Sequence, residues 1–111
     1  MAKSINQKKI LADNLAKNLP TLRARLGISQ TELCEKIGIT RQTLASIENS
    51  RREMTWITFV ALTLLFMQND ETKVLLPILG IHNEQLQNFL SFRADTLETR
   101  EVGLLPLAQN N

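Results

Sequence analysis

The stretch that decides the fold is SQTELCEKIGITRQTLASIEN, residues 29–49, because it predicts two short helices joined by a tight corner. Ser29 and Glu32 have the spacing of a capping box, which predicts that the first helix begins directly after Ser29. Gly38 stands where the chain must turn, since glycine adopts a positive φ at little cost. Thr40 is a suitable N-cap for the second helix.

Two short helices around a glycine corner are typical of the helix-turn-helix unit, whose second helix enters the major groove of DNA. Leu44 and Ile47 are expected to face inward, which leaves a polar outer face. Arginine suits guanine, glutamine suits adenine, a serine hydroxyl suits either, and an alanine methyl can touch the thymine methyl. The candidate base-reading residues on this face are Arg41, Gln42, Ala45 and Ser46.

Further motifs around this stretch keep a common register over three helices. They are Leu22-Arg23, Gly27-Ile28-Ser29-Gln30, Glu32-Leu33, Gly38-Ile39-Thr40-Arg41 and Ile47-Glu48-Asn49, followed by Arg51 and Arg52. On these residues the sequence from about Leu19 to Phe66 resembles the Cro/repressor-like transcriptional regulators, the bacterial and phage family named after the Xre repressor. The resemblance covers under half of the chain. It implies a five-helix lambda-repressor-like DNA-binding domain.

The resemblance also implies roles for single residues. It suggests that Arg23 pairs with Glu48, and that Gln30 donates a hydrogen bond to a DNA phosphate. A partly buried charge is tolerated only when it is paired, although two independent solvated charges remain an alternative. The candidates for further DNA-backbone contacts are Thr43, Asn49, Arg51 and Arg52, with entry of Arg51 or Arg52 into a minor groove as the alternative.

Composition and charge fit this interpretation. The 111 residues, of which 43% are hydrophobic, suffice for a core without disulfides. Helix-forming residues dominate and alternating β-branched runs are missing, so we expect an all-α fold. The net charge is only +2, but residues 1–56 carry ten Lys/Arg against five Asp/Glu, whereas residues 57–111 carry three against six. The attraction for phosphate therefore lies in the half that contains the motif.

Several other classes of protein are not supported by the sequence. No apolar run approaches the roughly 18 residues of a membrane span, and the N-terminus lacks a signal-peptide core, so we expect a cytoplasmic protein without membrane contact. Cys34 and His82 are each the only residue of their type. No paired carboxylates, activated nucleophile or metal-ligand spacing is evident, so we expect no enzymatic activity and no cofactor.

Helical periodicity extends on both sides of the motif. A helix is predicted from Ser4 to Leu26, with Pro20 expected to kink or break it. Its inward stripe is Ile10 or Leu11, followed by Leu15, Leu19, Leu22 and Leu26. A fourth helix, Trp56 to Phe66 with Thr55 as its N-cap, is apolar nearly all round, so we expect it to be buried in the core or at a subunit contact.

Two more helices are predicted beyond the fourth. The fifth is expected from Asn69 or Asp70 to Gly80, with Val74, Leu75, Ile78 and Leu79 as its buried face. The sixth, an additional C-terminal amphipathic helix, is expected from Glu84 to about Leu97. We therefore predict a DNA-binding domain over residues 1–81, and a C-terminal helix and tail over residues 82–111.

The leading hypothesis is a repressor that binds a palindromic operator in double-stranded DNA as a homodimer. One motif covers only a few base pairs, so useful specificity usually requires two half-sites. The fifth helix and residues 83–97 are the favoured dimer surface. The alternative is an antitoxin-type protein, in which residues 81–111 bind a protein partner and the motif serves autoregulation.

Overall fold

A computed structural model describes the backbone of residues 2–92 and the side chains of residues 7–92. The chain divides into two compact units, Met1–Ile81 and His82–Asn111. The described residues form six helices and no strand: α1 (Ala2–Leu26), α2 (Gln30–Ile37), α3 (Arg41–Glu48), α4 (Trp56–Met67), α5 (Asp70–Lys73) and α6 (Asn83–Leu90). The all-α class and the number of helices before the C-terminal one are as predicted.

Helix α1 runs without a break through Pro20. The expected break therefore does not occur. The Pro20 side chain lies exposed to solvent, so its ring does not displace the residues that α1 buries. The helix ends at Leu26, and the φ of 68° at Gly27 lies in the left-handed region that glycine adopts readily.

The core of the first unit is built on α1, which packs against α3, α4 and α5, while α2 packs against α3. Leu11 is buried and Ile10 is 58% exposed, so Leu11 begins the inward stripe. Core side chains on these helices that are no more than 3% exposed are Leu11, Leu15, Leu19, Leu22, Leu33, Leu44, Ile47, Phe59, Leu62 and Phe66. Burial of such apolar surface is the main force that holds the helices together.

Helix α4 begins after Thr55, whose hydroxyl oxygen accepts a hydrogen bond from the Thr58 amide at 3.2 Å. Its buried face carries Phe59, Leu62 and Phe66. The opposite face includes Ile57 and Leu64, which are 78% and 55% exposed. An apolar helix in a small unit thus covers the core with one side and presents apolar side chains to solvent with the other.

The fifth helix is much shorter than predicted. Of the four residues expected on its buried face, Leu75 and Leu79 are half-buried, and the prediction is wrong for the other two. Helix α5 ends at Lys73, and turns follow up to Gly80, because Pro77 has no amide hydrogen and disfavours helical geometry at the residue before it. Backbone hydrogen bonds that span three, four and five residues then replace the regular helical pattern. As a result Leu76 is buried, whereas Val74 and Ile78 are 63% and 77% exposed.

The sixth helix is also shorter than predicted. Helix α6 ends at Leu90, because Ser91 adopts an extended conformation with φ −109° and ψ 123°. Serine side chains compete for backbone hydrogen bonds, so serine is a poor residue for continuing a helix. Leu86 is buried, as the stripe predicts, and Leu90 is 53% exposed. The rest of the predicted helix, as far as Leu97, lies outside the described residues.

Candidate nucleic-acid interface

The start of α2 and the corner after it are held by local hydrogen bonds. The Ser29 hydroxyl accepts from the Glu32 amide at 3.0 Å, and the Ser29 amide donates to the Glu32 carboxylate at 2.8 Å. Gly38 has a φ of 82°, and its amide donates to the Cys34 carbonyl at 2.8 Å. Both ends of α2 are thus closed, which gives the chain a defined direction into α3.

The start of α3 is closed in the same way. The hydroxyl oxygen of Thr40 accepts a hydrogen bond from the Thr43 amide at 3.0 Å. Leu44 and Ile47 face the core, with 0% and 2% exposure. Because both the N-cap and the inward face are anchored, the rotation of α3 about its own axis is set, and so is the identity of its outward residues.

The four predicted base-reading residues lie on α3. Arg41 and Gln42 are exposed, and Ala45 and Ser46 are half-buried. Among the described residues, neither the Arg41 nor the Gln42 side chain forms a hydrogen bond or a salt bridge. The first turn of α3 therefore presents five guanidinium donors and an amide group to solvent, which are the groups that bidentate base recognition uses.

Three helices meet at the carboxylate of Glu48. Arg23 on α1 donates from Nε to Oε2 at 2.8 Å and from Nη2 to Oε1 at 2.9 Å, which is a bidentate salt bridge. Gln30 at the start of α2 donates from Nε2 to Oε1 at 2.9 Å. The side chains of Arg23 and Glu48 are only 18% and 8% exposed. The Glu48 carboxylate also raises the pKa of the Arg23 guanidinium above its ordinary value.

The bond between Gln30 and Glu48 was not predicted from the sequence. Residues 18 apart in sequence give no local signal of a contact. An amide nitrogen carries two hydrogens, so Gln30 keeps one donor for an outside acceptor while the other is held by Glu48. The network thus fixes the direction of the Gln30 side chain as well as the position of α3.

Three of the predicted DNA-backbone residues lie at or after the end of α3, whereas Thr43 lies in its first turn and Gln30 at the start of α2. Asn49, Arg51 and Arg52 are exposed. The Asn49 side chain accepts a hydrogen bond from the Arg51 amide at 3.3 Å, and Arg52 donates from Nη1 to the Thr43 hydroxyl at 3.0 Å. Ser50 has a φ of 66°. Neither the positive φ of Ser50 nor the link between Arg52 and Thr43 was predicted from the sequence.

Cys34 lies behind this surface, on the inward side of α2. It is 4% exposed, and its thiol donates a weak hydrogen bond to the Thr40 carbonyl at 3.5 Å. Burial raises the pKa of the Cys34 thiol above its ordinary value. The thiol is therefore a packing group that stays protonated.

Comparison with known families matches this geometry. The family model described as Helix-turn-helix matches residues 21–55. Residues 21–55 are an Xre-like helix-turn-helix. The match contains the whole capped corner, the network on Glu48 and the loop with Arg51 and Arg52. Searches among curated proteins and among solved structures found no significant match.

The helix-turn-helix at residues 21–55 supports a DNA-binding transcription regulator. Families of this type are generally not enzymes. Within the described part of the chain, no group of three His, Cys, Asp or Glu side chains is arranged to hold a metal ion. In the same residues, every helix is too short or too polar to cross a lipid bilayer.

Proposed function

We propose that the protein is a sequence-specific repressor that binds a palindromic operator as a homodimer. The observation that carries the proposal is the outer face of α3. Arg41 and Gln42 are exposed there, while the Thr40 cap and the buried Leu44 and Ile47 hold the helix in place. Arg41 contacts guanine O6 and N7, and Gln42 contacts adenine N6 and N7. Ala45 and Ser46 meet the bases one turn further along.

The remaining polar residues of the motif hold the DNA backbone. Gln30 donates its free amide hydrogen to a phosphate and sets the register of the motif on the duplex. Thr43, Asn49, Arg51 and Arg52 add further contacts to the DNA backbone. Backbone contacts of this kind position the protein without reading sequence, and they supply most of the salt dependence.

Selection of bound sites from random duplex DNA tests this proposal. The expected result is an enriched palindrome whose half-sites are centred about 34 Å apart. Arg41→Ala should change which bases are enriched at one position of each half-site. Arg51→Ala is the control, because loss of a phosphate contact weakens binding to all sequences alike. Equal losses on every sequence for Arg41→Ala, or no enrichment for the unaltered protein, would contradict sequence-specific reading.

The proposed homodimer is supported by apolar side chains that the first unit leaves in solvent. Val74 and Ile78, in the turns after α5, are 63% and 77% exposed. Large exposed apolar side chains close to one another mark interaction surfaces. We favour the region after α5 as the contact between subunits, which keeps part of the predicted dimer surface.

Light scattering on the Ile78→Ser variant tests this surface. The unaltered chain should be a dimer, and Ile78→Ser should shift it towards the monomer while circular dichroism shows an unchanged fold. Ile57→Ser is the matched control, since it removes a similar exposed area from α4. A monomer in the unaltered protein, both free and on DNA, would refute the dimer. Dissociation by Ile57→Ser alone would place the contact on α4.

The antitoxin-type alternative depends on residues 81–111, of which 93–111 lie outside the described residues. It stays a prediction. A partner protein that co-purifies with the full chain, and is lost when residues 82–111 are deleted, would support it.

A further inference from the structure

The loop after α3, which is the proposed recognition helix, folds back against α3. Ser50 adopts the left-handed conformation, with a φ of 66°, which reverses the chain at this point. The amides of Arg51 and Arg52 then both donate to the Ser46 carbonyl, at 2.8 and 3.2 Å. These two bonds hold the loop backbone against the last turn of α3.

The side chain of Arg52 forms a further contact between this loop and α3. Its Nη1 donates to Oγ1 of Thr43, nine residues earlier in the first turn of α3, at 3.0 Å. The same oxygen accepts a hydrogen bond from the Thr40 hydroxyl at 2.9 Å. A hydroxyl oxygen has two lone pairs, so Thr43 Oγ1 is fully used as an acceptor within the protein.

The hydrogen bond to Thr43 engages one corner of the Arg52 guanidinium. Four of the five N–H donors of an arginine then remain available, and Arg52 is exposed to solvent. A guanidinium held in place in the free protein loses less rotamer entropy when it binds a phosphate than one that moves freely. Thr43 therefore sits where it can prepare a cation for the DNA backbone.

We propose that Thr43 is a positioning residue that acts on DNA through Arg52. The proposal rests on the phosphate-binding role proposed for Arg52. It assigns the Thr40, Thr43 and Arg52 side chains to one unit, which links the N-cap of the recognition helix to the loop behind it. Thr43 thereby differs from Asn49 and Arg51, whose proposed contacts to the DNA backbone do not depend on another side chain's hydroxyl.

A double-mutant cycle with Thr43→Val and Arg52→Ala tests the proposal. Valine removes the hydroxyl and keeps the shape, while the N-cap survives because Thr40 accepts from the backbone amide of residue 43. Affinity for a random-sequence duplex is measured by fluorescence anisotropy across a salt series. Thr43→Ser is the matched control, because it keeps the hydroxyl and should bind within about twofold of the unaltered protein.

Arg52→Ala should weaken binding about tenfold and reduce the slope of log K against log salt by about 0.9, the value for one phosphate contact. Thr43→Val should weaken binding about fivefold with little change in slope, since the cation is still present but no longer held. In the Arg52→Ala background, Thr43→Val should have almost no further effect. Equal losses from Thr43→Val in both backgrounds would overturn the positioning role.

A second measurement on the free protein does not depend on DNA. Nitrogen relaxation at Arg52 Nε should report an ordered guanidinium in the unaltered protein and in Thr43→Ser, and a mobile one in Thr43→Val. An equally mobile guanidinium in all three would overturn the proposal, whatever the binding data show. If site selection finds no preferred sequence while the cycle is coupled, sequence-specific repression fails and the positioning role stands.

Discussion

Removal of Arg23 tests the part of the structure on which the orientation of the recognition helix depends most. Arg23→Ala deletes two of the three hydrogen bonds to the Glu48 carboxylate and leaves Gln30 as its remaining donor. The Glu48 side chain is only 8% exposed, so water cannot fully replace the lost partner.

The expected loss of stability can be judged from similar sites. Breaking a buried ion pair by removing one partner costs about 3–5 kcal/mol, because an uncompensated charge stays buried. Arg23 is 18% exposed, so we expect the lower end of the range, about 3 kcal/mol. The free energy of unfolding of a single domain is only about 5–15 kcal/mol in total. In a unit of this size the melting temperature should fall by about 12 °C or more.

The assay is urea unfolding followed by far-UV circular dichroism, which gives the free energy of unfolding by linear extrapolation. Arg25→Ala is the matched control, since it removes an exposed arginine two residues further along α1 and should change stability by less than about 0.5 kcal/mol. DNA affinity should also fall for Arg23→Ala, measured where the variant is still folded, because Gln30 and α3 share the Glu48 anchor.

Equal stability of the Arg23→Ala and Arg25→Ala variants would refute this reasoning. It would mean that Arg23 and Glu48 act as two solvated charges. The double variant Arg23→Met with Glu48→Leu provides a further check. Replacing both members of a buried pair by apolar residues is often neutral, so this variant should recover most of the stability lost by Arg23→Ala. Its DNA affinity should remain low, because Gln30 then has no carboxylate to hold it.

Three further predictions concern single buried or strained residues. Ser50→Gly should raise the free energy of unfolding by about 0.5 kcal/mol, since glycine adopts the observed φ of 66° without strain, whereas Ser50→Val should lower it; a stable Ser50→Val protein would contradict the strain. Thr72→Val should lower the free energy of unfolding by about 1–3 kcal/mol, because the Thr72 hydroxyl donates to the Phe66 carbonyl at 2.7 Å. Thr63→Val removes a buried hydroxyl that has no partner among the described residues, so it should leave stability unchanged or raise it. Similar urea midpoints for the two variants would contradict this difference. Burial raises the pKa of the Cys34 thiol above its ordinary value, so its contribution to stability is present below the ordinary pKa and is lost as the pH rises through the raised one. Cys34→Ala should show a smaller alkaline loss of stability than the unaltered protein, and identical pH profiles would refute this.

The elements that the sequence predicted well are those with a strong local cause. Ser29, Gly38 and Thr40 each act on an amide or a φ angle within a few residues, so their role can be inferred without knowing the fold. Thr55 and the start of α4 follow the same rule. The prediction of the fifth helix was wrong because it extended the 3.6-residue period across Pro77. The chain forms turns there and buries Leu76 instead of Val74 and Ile78.

The candidate site shows a similar division. The outward position of Arg41 and Gln42 follows from helical spacing once Leu44 and Ile47 face the core, and periodicity is visible in one dimension. The roles of Gln30 and Thr43 depend on partners 18 and nine residues away. No local pattern specifies such distances, and both residues were assigned by the sequence only to the DNA backbone.

By itself, then, the sequence determined an all-α chain with a capped helix-turn-helix at residues 29–49, because caps, corners and amphipathic faces are properties of neighbouring residues. The tertiary structure alone decided that Glu48 holds Arg23 and Gln30 together, that Thr43 holds Arg52, and that apolar side chains of α4 and of the turns after α5 face solvent. The physical reason is that these contacts arise only when separate helices pack, and packing selects one arrangement from many with the same local pattern.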